Sequence, residues 1–304
     1  MENQKKSYVY AIVAILLWST VASAFKISLQ YVDFLQLVFY ASIVSIFILF
    51  LTLLFQNKLN LLRIFSKKDY LHSMFLGFLN PFLYYIVLFK AYSLLPAQEA
   101  QPLNYTWPIM LVLLSIPLLK QKITSKSIFA IIVGFMGVVI ITTKGDFTSL
   151  KFSNPIGVAL ALLSSLLWAL FWIYNVMDER DEIARLFLNF LFGFIFVLVA
   201  TLSFSKIVIP QINGILGVTY VGLFEMGITF VVWLNALKFS KTTAKISNLL
   251  FLTPFISLMF IHFIVGEKIL FSTLIGLAFI VTGILLQQYS NLLQPPKSVR
   301  KIVK

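Results

Sequence analysis

A single carboxylate, Glu225, lies deep inside a long apolar stretch of the sequence, between Phe224 and Met226. An ionisable group in the middle of a membrane span is costly to bury, which makes this residue a candidate for function. The carboxylate could bind the amine of a substrate or carry a coupled proton. A protonated acid that hydrogen-bonds to a neighbouring helix would explain the same residue in purely structural terms.

Glu225 has a counterpart in the first half of the chain. A shift of 145 residues places Asn80 on Glu225 and Tyr84 on Thr229. Residues four positions apart share one face of an α-helix. The sequence therefore predicts that Asn80 and Tyr84 on one helix, and Glu225 and Thr229 on another, present two polar pairs to one central cavity.

Two further apolar stretches carry polar or aromatic residues at helical spacing. Gln101 and Asn104 lie on one stripe, and Trp168 and Trp172 lie deep in a later stretch. Such side chains either line a cavity, where tryptophan rings could stack on a flat or cationic substrate, or pack neighbouring helices together. The same two interpretations apply to three further candidates: Trp18, Tyr40 and Asn248.

The elements that must position these residues are apolar helices. The 304 residues are 60% hydrophobic and 12% charged, and a soluble protein of this size could not bury so much apolar surface. We identify ten apolar stretches, each close to the ~20 residues that cross a bilayer core. They run at about 8–29, 33–55, 70–94, 96–118, 127–143, 155–177, 185–204, 214–237, 243–265 and 270–289. The sequence thus predicts an all-α integral membrane protein with ten transmembrane helices.

The two halves of the chain resemble each other. A shift of 146 places Leu103 on Leu249 and Pro108 on Pro254 without a gap. Five spans per half is an odd number, so the second half is expected to be inverted relative to the first. We predict a first five-helix repeat at 1–148, an inverted second repeat at 149–293 and a basic cytoplasmic tail at 294–304.

The first stretch has a second interpretation. Lys5 and Lys6 precede an apolar run that ends near Ala22-Ser23-Ala24, which is also the pattern of a cleavable signal peptide. We interpret the run as a span because its Trp18 falls on Trp168 of the sixth span when the register is shifted by 150.

The basic residues predict the orientation. With both termini inside, 18 of the 24 Lys and Arg residues fall in cytoplasmic stretches and 6 on the other face. This asymmetry predicts cytoplasmic termini in the inner (plasma) membrane. It also assigns the net charge of +13 to membrane topology rather than to nucleic-acid binding.

Several kinds of site have no support in the sequence. The chain contains no cysteine, and its two histidines lie far apart. No phosphate-binding loop or catalytic motif is present, so we expect neither a cofactor nor an ATP-driven motor. The acidic run 178–182 could bind a metal, but a solvated connector is the simpler interpretation.

Short motifs and single residues stand out across the chain, namely Leu17-Trp18-Ser19, Leu167-Trp168-Ala169, Pro108, Pro254, Gly266-Glu267-Lys268-Ile269, Gly134, Gly137, Gly276 and Gly283. In these residues the chain resembles the drug/metabolite transporter superfamily, in its ten-span EamA-like form. The first half has Lys120-Gln121 in place of Gly-Glu, and Tyr40 lies near the position where the second span often carries an arginine. The resemblance implies transport of small metabolites, amino acids or their analogues, often outward, by exchange or with protons.

Three functional classes remain open from the sequence. The leading prediction is a secondary active transporter, an exporter or exchanger, that moves small organic metabolites such as amino acids or related amines by alternating access around a midplane cavity. The alternatives are a membrane-embedded enzyme that acts on lipid-linked substrates and a non-catalytic membrane scaffold. Gly276 and Gly283 share a helix face, which serves either packing within one chain or the seam of a homodimer.

Overall fold

The protein is described by a computed structural model that covers residues 2–119, 124–146, 154–240 and 243–292. Within these ranges all of the regular secondary structure is helical. The α-helices are α1 Glu2–Ser28, α2 Phe34–Phe55, α3 Leu59–Ile64, α4 Lys67–Gly77, α5 Tyr84–Leu94, α6 Ala97–Asn104, α7 Trp107–Leu119, α8 Ser125–Thr142, α9 Pro155–Val176, α10 Glu182–Phe204, α11 Ile212–Phe224, α12 Ile228–Phe239, α13 Thr243–Leu249, α14 Thr253–Phe260 and α15 Phe271–Leu292. Two π-helical segments, Phe78–Leu83 and Ile261–Val265, and one 3₁₀ segment, Leu250–Leu252, join some of them. The predicted tail 294–304 and the Lys120-Gln121 pair lie outside the described residues.

Nine helical stretches within the described ranges are long and apolar enough to cross a bilayer. They correspond to nine of the ten predicted spans. The predicted span at 96–118 consists of two shorter helices, α6 and α7, which meet at Tyr105 and Thr106. The chain is therefore an all-α, multi-pass membrane protein. We call the face where α1 begins and α15 ends the terminal side, and the opposite face the distal side.

Four spans are interrupted. When the two halves are aligned by the 145- and 146-residue shifts, the interruptions fall at matching positions. In the third span, Asn80 has non-helical dihedral angles (φ −147°, ψ 118°). The 145-residue shift takes Asn80 to Glu225, where the eighth span breaks between α11 and α12. The 146-residue shift takes the α6–α7 junction at Tyr105 to Phe251, within the 3₁₀ segment of the ninth span. The two repeats thus share the positions of their backbone breaks as well as their apolar pattern.

Packing between the halves follows the same symmetry. Helix α1 packs against α12 and α14, and its counterpart α9 packs against α5 and α7. Helix α2 packs against α11, and its counterpart α10 packs against α4. Such reciprocal contacts are those of a twofold relation between two units. Because each half contributes five spans, the twofold axis lies in the membrane plane and the second repeat is inverted.

Glycines allow the counterpart helices α8 and α15 to approach closely. A methyl group on Gly137 would overlap the backbone oxygen of Gly276, and one on Gly283 would meet backbone atoms of Ala130 and Gly134. The absence of side chains at these positions therefore serves packing within one chain. The dimer seam, which was the alternative from sequence, is not needed to explain them.

The acidic run on the terminal side is a structured network, so the expectation of a solvated connector is wrong for Asp178. Its side chain is only 4% exposed and accepts hydrogen bonds from the Arg180 guanidinium, the shorter ones being Nε to Oδ1 at 2.9 Å and Nη2 to Oδ2 at 2.5 Å. Arg180 Nη1 also donates to the backbone oxygen of Asp69 at 2.8 Å. Burial alone would raise the pKa of Asp178, but the hydrogen bonds and charge of Arg180 outweigh burial and hold the pKa below its usual range.

Candidate functional site

A cavity of about 500 Å³ lies between the two repeats, and its wall includes residues at or beside the breaks of the four interrupted spans. Its volume falls within the range of ordinary small-molecule sites. Breaks in transmembrane helices are tolerated where the freed backbone faces protein or a cavity. The wall includes residues from both repeats, namely Trp18, Tyr84, Gln101, Asn104, Trp107, Trp168, Trp172, Glu225, Phe230, Trp233 and Gln287.

Aromatic rings form much of this wall. Tyr84 stacks on Trp168, with ring centroids 4.6 Å apart and an interplanar angle of 28°. Trp168 also contacts Phe230, and Phe230 contacts Trp18 edge-on at 5.9 Å. Trp18 in turn contacts Trp233, with ring centroids 5.8 Å apart. These five rings form one continuous surface that crosses from one repeat to the other, and we call it the aromatic wall.

Glu225 lies beside the aromatic wall at the C-terminal end of α11. The residue is 8% exposed and lines the cavity. Its Oε1 accepts a hydrogen bond from the hydroxyl of Tyr85 at 3.2 Å. No basic side chain in the described ranges forms an ion pair with it. The carboxylate is thus available to a cationic ligand or to a proton.

Amide side chains supply the remaining polarity. Asn104 donates to the hydroxyl of Ser164 at 2.9 Å, and Tyr84 donates to Asn104 Oδ1 at 3.5 Å. Gln101 Oε1 and both polar atoms of the Gln287 amide are buried and have no hydrogen-bond partner among the described residues. Buried polar atoms normally have partners, so a ligand or water can satisfy these amides.

Two of the predicted side chains, Asn80 and Thr229, are fully buried but lie outside the cavity wall. The expectation that Asn80 shares a face with Tyr84, and Thr229 with Glu225, assumed continuous helices. Each pair instead spans a break, and the spacing of four no longer places its members on one face. Thr229 donates to the backbone oxygen of Phe224 at 2.5 Å and so caps a carbonyl near the break.

Tyr40 and Asn248 are also placed away from the cavity. The Tyr40 hydroxyl donates to the backbone oxygen of Val208 at 2.8 Å, near the distal end of α2. Asn248 is exposed, whereas its neighbour Ser247 lines the cavity. A one-residue difference rotates a side chain by about 100° around a helix, which the sequence pattern did not resolve here.

Sequence reasoning missed several residues of the wall. All five tryptophans of the chain line the cavity, including Trp107 and Trp233. These two align with Thr253 and Leu88 in the other repeat, so a search for repeated aromatic positions does not find them. A better signal is the presence of tryptophan in the interior of a span, because this residue otherwise favours the membrane surface.

From the residues of its wall, we infer that the cavity opens toward the terminal side. Its wall extends to Met177, Leu237 and Gln288, in the last turns of three spans on that side. On the distal side the wall ends at Phe25 and Tyr92, whose rings meet at 5.2 Å. The conformation is therefore closed on the distal side.

Two charged side chains hold this distal closure. Lys26 Nζ donates to the backbone oxygens of Tyr92 and Leu95, both at 2.9 Å, at the C-terminal end of α5. The Glu267 carboxylate accepts from the backbone amides of Ala97 and Gln98, at the N-terminal end of α6. A cation at a helix C-terminus and an anion at a helix N-terminus are each stabilised by the opposite partial charge of that helix end. We call this pair of contacts the distal clamp.

Metal binding has no support within the described residues, where no cluster of three or more His, Asp or Glu side chains could hold an ion. The geometry instead provides a cavity at the midplane of two inverted repeats, which is the arrangement of transporters that open alternately to the two sides.

Comparison with known proteins agrees with this class. The model of the EamA-like transporter family matches the chain twice, over residues 5–143 and 155–287. The chain therefore belongs to the EamA-like transporter family. The two matched ranges correspond to the two halves that sequence and packing relate to each other.

Individual relatives carry transporter names as well. An uncharacterized transporter of Acidianus ambivalens is 32% identical over 56% of this chain and 66% of its own length. An uncharacterized transporter of Clostridium kluyveri is 30% identical over 57% of this chain and 58% of its own length, so these alignments span less than two thirds of either relative. A third, from Archaeoglobus fulgidus, is 23% identical over 92% of this chain and 96% of its own length.

A crystal structure of a protein 20% identical to this chain has the same fold, with a TM-score of 0.65 over 95% of this chain and 99% of that one. The family and the names of the relatives are those of transporters. Membership of a transporter family argues against the enzyme and scaffold alternatives from the sequence.

Proposed function

We propose that this protein is a secondary active transporter that carries small organic metabolites, amino acids or related amines, through the plasma membrane by alternating access. The observation that supports this most is the cavity at the breaks of the repeat-related spans, with Glu225 in its wall. The terminal side, which the basic residues assign to the cytoplasm, is the open one. Loading from the cytoplasm and release outside would make the protein an exporter or exchanger.

Glu225 is proposed to couple transport to protons or to the charge of the substrate. An ionised carboxylate within the membrane costs free energy unless a cation or a proton accompanies it. Since the described residues provide no basic partner, either the substrate or a proton can serve. A carrier in which the Glu225 carboxylate alternates between these two partners exchanges substrate for protons.

The distal clamp gives a physical account of the closed distal side. Its contacts join α1 and the segment before α15 to the α5–α6 turn. Opening toward the distal side requires these hydrogen bonds to break and others to form on the terminal side. The equilibrium between the two conformations then determines from which side a ligand can enter.

Flux measurements in proteoliposomes test the proposal. Purified protein is reconstituted, and uptake of a labelled substrate is followed with an imposed pH gradient, against protein-free vesicles. Accumulation that follows the pH gradient and is abolished by a protonophore is expected for a proton-coupled exchanger. Uptake that does not exceed that of protein-free vesicles over a broad set of metabolites would contradict the proposed function.

A further inference from the structure

We propose that the cavity selects organic monocations that have an aromatic body and no carboxylate, and thus takes amines in preference to amino acids. This inference rests on the proposed function and specifies the substrate of that same site. It depends on the charges in the wall, the rings beside them and the position of the nearest cation.

The described wall is asymmetric in charge. It contains one acid, Glu225, and no lysine, arginine or histidine. Lys26 lies beyond the distal end of the wall, and its Nζ already donates to the backbone oxygens of Tyr92 and Leu95. An ammonium group in the cavity therefore meets a carboxylate, whereas a carboxylate meets no cation among the described side chains of the wall.

Helix ends do not reverse this asymmetry. At the break beside Glu225, the C-terminus of α11 and the N-terminus of α12 lie within a few residues of each other. The partial charges of such paired ends oppose one another. Glu225 is thus the group that sets the sign of charge that the cavity prefers.

The aromatic wall adds to the preference for a cation. The face of an aromatic ring attracts a positive charge, most strongly in tryptophan. Trp168 stacks on Tyr84 and stands at right angles to Trp172, with centroids 5.9 Å apart, so ring faces and edges of different orientation enclose the space. The same quadrupole that stabilises an ammonium group repels a carboxylate that approaches the ring faces.

The amides of the wall compensate a carboxylate only in part. Gln287 could donate hydrogen bonds, and Gln101 presents an unpartnered acceptor oxygen. A neutral donor contributes less than the free energy needed to remove an ionised carboxylate from water. These amides are better matched to a hydroxyl or amide substituent on the body of a cation.

A set of probes that share a phenylethyl group and differ in charge tests the inference. The probes are phenethylamine (+1), 2-phenylethanol (neutral), phenylalanine (zwitterion) and 3-phenylpropionate (−1). Because all five tryptophans line the cavity, binding can be followed by intrinsic fluorescence and checked by calorimetry. Phenethylamine is expected to bind at least about tenfold more tightly than phenylalanine, and 3-phenylpropionate most weakly.

Two variants separate the contributions to selectivity. Glu225→Gln should remove most of the difference between phenethylamine and 2-phenylethanol. Trp168→Leu should weaken phenethylamine about five- to thirtyfold and the alcohol less, because only the cation interacts with the ring quadrupole. Phe47→Leu, which changes an exposed ring on the outer surface of α2, is the matched control and should change neither affinity.

Different results would contradict the proposed transport function and the proposed selectivity. Flux is measured with phenethyltrimethylammonium, whose permanent charge prevents passive leakage, and with phenylalanine. Transport of phenylalanine with an affinity equal to or above that of the ammonium probe would overturn the inference and leave a transporter. The inference would also be overturned if none of the four probes binds. Cysteine accessibility tests alternating access independently of these probes.

Discussion

The Glu267 side chain accepts a hydrogen bond from the backbone amide of Ala97, Oε1 to N, at 2.7 Å. Ala97 is the first residue of α6, and Pro96 before it provides no side-chain cap. A residue of the second repeat therefore caps a helix of the first, 170 positions away in sequence. This contact belongs to the distal clamp and should exist only while the distal side is closed.

Replacement of Glu267 by alanine should favour opening toward the distal side. Loss of a helix cap costs about 0.5–2 kcal/mol, which is enough to change the population of a two-state carrier severalfold. The chain has no native cysteine, so Leu88→Cys, one helical turn deeper in the wall than the Phe25–Tyr92 contact, can report on accessibility from the distal face. A membrane-impermeant thiol reagent should label it faster in the Glu267→Ala background. Glu179→Ala, which removes an exposed acid on the terminal side, is the control. Equal labelling rates in all three backgrounds would show that Glu267 does not hold the closure.

Sequence predicted the architecture well because the signals involved are local. Apolar length determined the spans, and the 145- and 146-residue registers related the two halves. The breaks at Asn80, Glu225 and Tyr105 were not predicted, although the structure places them at repeat-related positions. The target of Glu267 was not predictable in this way. Its motif was recognised, but the capped helix is distant in sequence and no local pattern connects the two.

The candidate site was predicted less completely, for two physical reasons. Helix-face arguments failed where the backbone is not helical, so Asn80 and Thr229 were assigned to the cavity along with their partners Tyr84 and Glu225. Asp178 was interpreted as solvated because an acidic run is usually exposed. In the structure it pairs with Arg180, which also contacts the backbone of Asp69, and the sequence does not show this tertiary contact.

Replacement of Asp178 by asparagine should destabilise the protein near neutral pH. Hydrogen bonds to a charged group contribute about 1.5–3 kcal/mol, and the variant loses the charge of the buried Asp178–Arg180 pair. Because the pKa of Asp178 is held below its usual range, its contribution is present above about pH 4 and is lost as the pH falls through the native-state value. Thermal unfolding in detergent should show a large difference between wild type and Asp178→Asn at pH 7, and a smaller one in acid. Glu179→Gln, beside it and exposed, should behave like wild type. A difference that does not depend on pH would rule out the ionic explanation.

Glycines of the α8–α15 contact should differ in their tolerance of a methyl group. At Gly137 the nearest atoms include the backbone of Gly276, which cannot move aside, so Gly137→Ala should cost about 1–3 kcal/mol. At Gly134 the methyl group meets only the side chain of Ile109, which can rotate. Gly134→Ala should therefore be tolerated, helped by the higher helix propensity of alanine. Comparison of thermal unfolding for the two variants checks the packing, and equal losses would contradict it.

Orientation can be measured with the same cysteine-free background. Asp146→Cys and Lys206→Cys lie on the distal side, and the distribution of lysine and arginine predicts that this side faces outward. Both cysteines should react with an impermeant reagent added to intact cells. Lys68→Cys, on the terminal side, should react only after the membrane is opened. Labelling of Asp146→Cys or Lys206→Cys only after lysis would reverse the proposed direction of transport.

The proposed role of Glu225 is tested most directly by flux against pH in liposomes for wild type, Glu225→Gln and Glu225→Asp. The amide keeps the shape of the side chain and removes its charge, so Glu225→Gln should fold and should lose proton coupling or affinity for a cationic substrate. Glu225→Asp should keep part of the activity, because a carboxylate remains close to the same position. If Glu225→Gln transports at the wild-type rate with the wild-type pH profile, the carboxylate is structural and the account given for this cavity is wrong.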